Sequence, residues 1–163
     1  MPPGDTLARW VCDQCGEIHY QNPRMVVGTV PEHEGRILLC RRAIEPRYGY
    51  WTLPAGFLEN DETVAQGAYR ETLEEAGAQV ELGEPFSMIS VPYVHQVHFF
   101  YRARLLALDF KPGEETIEVA LFEEARIPWK DIAFRTVGRT LKLWFADRAR
   151  QTFAFHAEDL PPA

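Results

Sequence analysis

The sequence predicts an α+β domain in which a mixed β-sheet lies between helices. Three observations carry that expectation. Runs rich in β-branched and aromatic residues are interleaved with two stretches of helical periodicity. The 163 residues suit one domain built on a single core. Finally, 46% hydrophobic and 25% charged residues make an ordinary globular composition.

Residues 1–22 read as a short arm, 23–150 as the main domain and 151–163 as a tail. Arg24 to Val30 is apolar with little alternation, the pattern of a buried strand. Gly35 marks a hairpin turn, and Ile37 to Arg41 returns as a second strand. The Ala43–Tyr50 stretch is rich in turn formers and leads into Trp51. A first helix is expected from about Glu62 to Ala76, capped by Thr63 or Asp61 and closed at Gly77. Ala65, Ala68, Tyr69, Thr72, Leu73 and Ala76 form its apolar stripe. After a break at Gly83-Glu-Pro85, Phe86 to Val91 and Gln96 to Ala107 read as strands. Lys111 to Glu115 is a surface turn, Ile117 to Phe122 a strand, and Pro128-Trp129 a loop. The last helix, about Val137 to Arg150, places Val137, Leu141, Trp144 and Phe145 on one face.

The net charge of −7 argues against a nucleic-acid backbone as the main partner but not against a small anion brought in with a cation. No run of about 18 apolar residues spans a bilayer. The strongest candidate, Val94 to Leu108, is interrupted by His95, His98, Arg102 and Arg104. With no secretory apolar region after Met1, the expectation is a cytoplasmic protein without membrane partners. Three cysteines are too few for a disulfide framework. Cys40 sits in a strand-like run and reads as a small buried hydrophobe. Cys12-Asp-Gln-Cys15-Gly16 reads as a zinc knuckle, yet a structural site needs four ligands. His19 would add a third and no fourth is evident, so the ligand count favours a free thiol pair over bound Zn²⁺.

The densest chemistry lies between Gly56 and Ala78, where six carboxylates accompany Arg70. The spacing is G-x5-E-x7-R-E-x-x-E-E-x-G, fixing Gly56, Glu62, Arg70, Glu71, Glu74, Glu75 and Gly77. On a helix Glu71, Glu74 and Glu75 fall within roughly 100° of one another. Their mutual repulsion costs a few tenths of a kcal/mol per pair, which a hard divalent cation reverses. Glutamate runs are usually solvated helix faces; seven specified positions together are not explained that way.

This segment resembles the Nudix box of hydrolases that cleave a nucleoside diphosphate linked to another moiety. Every charged and glycine position matches; Thr72 and Ala78 stand where the family usually carries larger aliphatics. The resemblance implies a Nudix-type α/β/α sandwich. It implies Mg²⁺ or Mn²⁺ held by the Ala55 carbonyl, Glu71, Glu74 and Glu75, with Arg70 orienting a glutamate. It also implies a further glutamate beyond the box as ligand or general base, with Glu118 the first choice and Glu115 the second. The arm resembles the second half of the zinc ribbon that a subgroup of the family carries.

Three further segments, Arg42–Trp51, Ser90–Val97 and Pro112–Val119, resemble relatives that hydrolyse FAD to FMN and AMP, or ADP-ribose to AMP and ribose 5-phosphate. Arg42 and Arg47 are candidate phosphate contacts, and Tyr48, Tyr50 and Tyr93 candidate stacking partners for a substrate ring. The alternatives are an NADH or NAD-cap pyrophosphatase, or a non-catalytic nucleotide sensor. A homodimer through Trp129 or Phe134 is a further expectation from the family.

Overall fold

The structure is a computed structural model that describes residues 1–2 and 4–162. Pro3, at the head of the ribbon-like stretch, and Ala163, at the end of the tail, lie outside the described residues. The arm folds as a hairpin, with β1 (Trp10–Val11) antiparallel to β2 (Ile18–His19). The main sheet contains β3 (Arg24–His33), β4 (Arg36–Arg42), β5 (Trp51–Thr52), β6 (Ala55–Phe57), β7 (Val80–Val91), β8 (Gln96–Leu105), β9 (Thr116–Phe122) and β10 (His156–Asp159). Its order is β10-β7-β8-β3-β4-β5, with β6 pairing β3 and β9 pairing β4. The β3–β8 and β10–β7 pairs are parallel and the rest antiparallel, so the sheet is mixed. Glu34 and Gly35, at φ 50° and 76°, make the two-residue turn between β3 and β4, whose twist suits a hairpin.

Helices α1 (Val64–Ala76) and α2 (Arg135–Arg150) cover opposite faces of that sheet. Strand alternation shows how: Ile37 and Leu39 join Leu141 and Trp144 in one cluster, whereas Leu38 and Cys40 join Ala76 and Ala78 in the other. The expected mixed sheet between helices is therefore present, and Cys40 is buried as its context predicts. Helix α1 is capped by Thr63, whose hydroxyl accepts from the Gln66 N–H while the Gln66 side chain accepts from the Thr63 N–H. Gly77 closes it in the left-handed region at φ 57°.

Three expectations about packing are corrected. The buried side of α1 is Gly67, Ala68, Thr72, Glu75 and Ala76, while Tyr69 and Leu73 face solvent. Small residues win that face because the helix lies close to β3: a Cβ on Gly67 would overlap Val27. Thr72 fits because its hydroxyl lies 2.8 Å from the Ala68 carbonyl and 2.7 Å from the Thr29 hydroxyl. Gly83-Glu-Pro85 does not break a strand. Strand β7 continues through it with register shifts on either side of Pro85, which accommodate the missing N–H.

The tail is the third correction, because it contributes β10 alongside Ser87–Ser90 of β7. It is fastened by Asp147 of α2, whose carboxylate is fully buried. Asp147 accepts from the Ala154 N–H at 3.0 Å and from Arg150, and its Oδ2 lies 2.8 Å from His156 Nε2. Burial pushes the Asp147 pKa up, but these partners outweigh it and hold the group below its ordinary value. Replacing Asp147 with Ala is expected to cost about 3–5 kcal/mol, the scale for stripping one partner from a buried ionic network. Urea unfolding measures the loss, and amide exchange at residues 154–160 should accelerate more than in β3.

Candidate active site

A cleft of about 1060 Å³ opens between the acidic border of α1 and a wall made by β8 and the start of α2. Glu71, Glu74 and Glu75 line it, with Ala55 and Gly56 beside them and Glu114 and Glu115 from the turn before β9. That turn is pinned to the end of α1: Lys111 N–H donates to the Ala76 carbonyl at 2.8 Å and Gly113 N–H to the Glu75 carbonyl at 3.0 Å. A side chain at Gly113 would overlap the Glu74 carbonyl, so a glycine permits the approach. The two bonds satisfy carbonyls that every helix end leaves free, and they deliver Glu115 to the acidic group.

Arg70 organises the carboxylates. Its guanidinium donates to both oxygens of Glu62, at 2.7 and 3.0 Å, and to the Phe57 carbonyl at 3.1 Å. Its Nη1 donates to Glu71 at 2.7 Å and to Glu74 at 3.0 Å. The expected i,i+4 contact with Glu74 is present, but the two-pronged grip on Glu62 is closer. That grip, with the Glu59 N–H, holds the Glu62 pKa down to about 2. Gly56 faces Glu71 so closely that any side chain there would overlap its carboxylate.

Glu75 differs from its neighbours because it lies on the packing side of α1, only 7% exposed. Its hydrogen-bond partner is the Ala55 N–H at 3.0 Å. Burial pushes its pKa up to about 8, and the charges of Glu71 and Glu115 push the same way. Burial likewise raises Glu71. An ionised group placed so, with one donor, fits a hard divalent cation as counter-charge. The oxygen donor set suits Mg²⁺ or Mn²⁺. Among the described residues no three of His, Cys, Asp or Glu are already drawn into a ligand cluster. Arg70 holds Glu71 and Glu74, and in the arm Cys12 and Cys15 form no disulfide, with His19 paired across the hairpin to Trp10.

The remaining predicted residues divide. Arg42, Arg47 and Tyr93 line the cleft; Arg42 donates to the Pro46 carbonyl at 2.9 Å and lies 5.1 Å from the Phe134 ring centre. Phe134 is thus part of the cleft wall, while Trp129 is partly exposed. Tyr48 is exposed and outside the lining; Tyr50, half-buried and stacked under Arg47, is outside it too. Glu118 also lies outside it. Its strand register places it opposite Arg41, with Arg41 Nη1 at 3.7 Å, half exposed, whereas Glu115, also exposed, precedes the strand and lines the cleft. Sequence reasoning missed Gln96 and His98 as lining residues, and Leu160 of the tail. Period-two alternation along β8 carries a signal for the first two; nothing local marks Leu160.

The raised Glu75 pKa sets a pH dependence. With a folded-state value near 8 against 4.5 unfolded, the metal-free native state binds a proton that the unfolded state releases. Stability in the presence of a chelator should therefore decline as pH rises from about 4.5 through 8. Glu75→Gln should flatten that decline and be the more stable protein at pH 8. Urea titrations of both proteins in EDTA at a series of pH values check this.

A NUDIX domain model matches residues 22–146, and a Nudix N-terminal zinc-ribbon model matches residues 1–21. A Nudix hydrolase structure from Nitrosomonas europaea superposes with a TM-score of 0.95 at 53% identity, covering 98% of this chain and 91% of that one. An ADP-ribose pyrophosphatase of Methanocaldococcus jannaschii is 29% identical over 113 residues, 67% of each protein. The NAD-capped RNA hydrolase NudC of Chromobacterium violaceum is 35% identical over 119 residues, 71% of this chain. The chain spans 43% of the length of that relative. Among the described residues no helix is long and apolar enough to cross a membrane. With its box residues gathered on one helix border beneath a cleft, the chain belongs to the Nudix hydrolase family, whose members are pyrophosphatases generally dependent on a divalent cation.

Proposed function

We propose that the chain hydrolyses the pyrophosphate bond of a nucleoside diphosphate linked to another moiety, with ADP-ribose as the lead substrate and FAD as a second. The observation that carries this reading is a cleft with acidic oxygens along α1 and aromatic and neutral polar groups on the facing wall. The first suits a diphosphate accompanied by a cation, the second a ring. Similarity to an archaeal ADP-ribose pyrophosphatase supports the choice of lead substrate.

Glu71, Glu74 and Glu75 would hold the cation, with Ala55 beside them. When bound, Mg²⁺ or Mn²⁺ neutralises the diphosphate and acidifies a water. The chain's own groups do the positioning. Glu62 fixes Arg70, Arg70 fixes Glu71 and Glu74, and the Ala55 N–H fixes Glu75. Glu115 takes the role of general base, receiving the proton of the attacking water as its oxygen bonds to one phosphorus and the bridging P–O bond breaks, the other phosphate leaving with that bond's electron pair. Arg42 and Arg47 meet the phosphates, and Tyr93 borders the ring. Hydrolysis of ADP-ribose by this route gives AMP and ribose 5-phosphate; FAD gives AMP and FMN. The protein acts in the cytoplasm in this reading. Residues 1–22 form a separate arm and 23–150 the catalytic domain, to whose sheet the tail after residue 150 adds β10.

A second reading, NADH or an NAD cap as substrate, is favoured by the zinc-ribbon match and the likeness to NudC. The net charge of −7 weighs against a long RNA. Incubation with ADP-ribose, FAD, NADH and NAD-capped RNA, with and without Mg²⁺, separates the readings by product. Metal-dependent AMP from ADP-ribose is the expected result, and binding without turnover would point to a sensor.

Glu71→Gln or Glu75→Gln should lower Mg²⁺-dependent kcat on the order of 10²–10³-fold, the scale of losing one preorganised electrostatic contact. The circular dichroism of each should stay unchanged. Glu62→Gln, acting through Arg70, should cost about 10–100-fold. Glu115→Gln should cost about 10²-fold or more and Glu118→Gln almost nothing. The opposite order would return the base to Glu118.

A further inference from the structure

We propose that Gln96 is a specificity-determining residue whose side-chain NH2 group donates into the cleft to a ring nitrogen or carbonyl oxygen of the substrate's base. The assignment rests on the functional reading above and names the part of the substrate that this wall reads. It follows from tracing one buried hydrogen-bond relay from its closed end outward.

The closed end is Thr136, the second residue of α2 and only 3% exposed. Its hydroxyl lies 3.0 Å from His98 Nδ1, and among the described residues the hydroxyl has no other partner. A buried hydroxyl proton left without an acceptor is costly, so Thr136 donates and Nδ1 accepts. His98 is itself 8% exposed, and burial pushes its pKa down to about 4, so the ring is neutral near pH 7. A neutral imidazole that accepts at Nδ1 carries its proton on Nε2. That N–H faces the Gln96 side-chain oxygen at 3.0 Å. With Oε1 committed inward, the amide presents its NH2 to the opposite side.

The cleft that Gln96 lines with His98 and Thr136 is within reach of that NH2. Gln96 opens β8, is half-buried, and lines the cavity with Tyr93, Val94 and Leu160. Arg135, next to Thr136, closes the same wall by donating to the Pro161 carbonyl at 2.7 Å. The reversed relay, with Gln96 donating to Nε2 and Nδ1–H donating to Thr136, would leave the proton of a hydroxyl only 3% exposed without a protein acceptor among the described residues. A glutamine alone on a surface turns freely and discriminates poorly. Here the relay fixes which end of the amide a ligand meets, so an acceptor is favoured and a donor opposed at that point.

Three measurements test this with ADP-ribose as the probe. In ¹⁵N NMR of the wild type, His98 Nδ1 should resonate as a pyridine-like nitrogen and Nε2 as a pyrrole-like one. Gln96→Glu, which replaces the donor with an acceptor of the same shape, should raise KM about tenfold with kcat within about twofold. Thr136→Val should raise KM in the same direction and Thr136→Ser should restore it, because the relay needs the hydroxyl rather than the bulk. A proton on Nδ1, or a Gln96→Glu enzyme with wild-type KM, would overturn the assignment while the functional reading stands. If the wild type neither hydrolyses ADP-ribose nor binds AMP, both fall together.

Discussion

The guanidinium of Arg70 is the constraint around which the acidic border of α1 is arranged. Three glutamates within a helical turn repel one another, and a chain left to itself would spread them into solvent. Arg70 prevents this by donating to Glu71 and Glu74 at once, while Glu62 occupies its remaining edge with both oxygens. The fixed planar fork makes that possible; a lysine, with a single ammonium, has no comparable geometry. Glu62 reaches Arg70 from before the helix begins, so the approach to α1 and its acidic face are tied together. The capping box at Thr63 and Gln66 fixes the direction in which the helix leaves that knot.

Glu75 escapes Arg70 because it lies one position round the helix, on the side that packs. Its carboxylate is removed from water by the closeness of α1 to the sheet, and the same closeness demands Gly67, Ala68 and Thr72 on the shared face. Packing and acid chemistry are thus the same feature seen from two sides. A larger residue at 67 or 68 would lift the helix and hydrate Glu75. The metal-free fold carries a buried, poorly compensated acid at its centre, a cost that a stability-optimised helix would not retain. The glycines at 56 and 113 belong to the same argument, since each lets a backbone approach a glutamate without a side chain between.

How much of this could be read from the sequence depended on the range of the interactions. Helix α1, its cap at Thr63 and its end at Gly77 are local events, governed by spacing over a few residues, and they were legible. So was the crowding of Glu71, Glu74 and Glu75. The helix's buried face was misplaced because hydrophobicity pointed to Tyr69 and Leu73, whereas close contact with β3 selects size. Pro85 reads locally as a break, but the neighbouring strand β8 carries β7 across it. The preference for Glu118 came from its position before an apolar run. The sequence does not reveal that the 111–113 backbone bonds to the end of α1 and brings Glu115 to the cleft. Strand β10, His-Ala-Glu-Asp, has no strand-like pattern; Asp147 and the edge of β7 impose it.

The same contrast separates the two sides of the cleft. Apart from Glu114 and Glu115, the acidic side is encoded within about twenty consecutive residues, so its geometry survives as long as that segment folds on the sheet. The facing wall is assembled from Tyr93 and Gln96, Thr136 and the tail at Leu160, brought together only by the tertiary fold. Substitutions there change what the cleft admits without disturbing the carboxylates, which is how one chemistry serves many substrates. The tail couples the wall to overall stability: Asp147 and Arg135 hold its two ends, and between them Leu160 reaches the cleft. Loosening β10 would therefore open the wall at Leu160 first and leave the acidic border intact. Substrate selection in this fold is consequently more sensitive than bond cleavage to anything that frays the C-terminal strand.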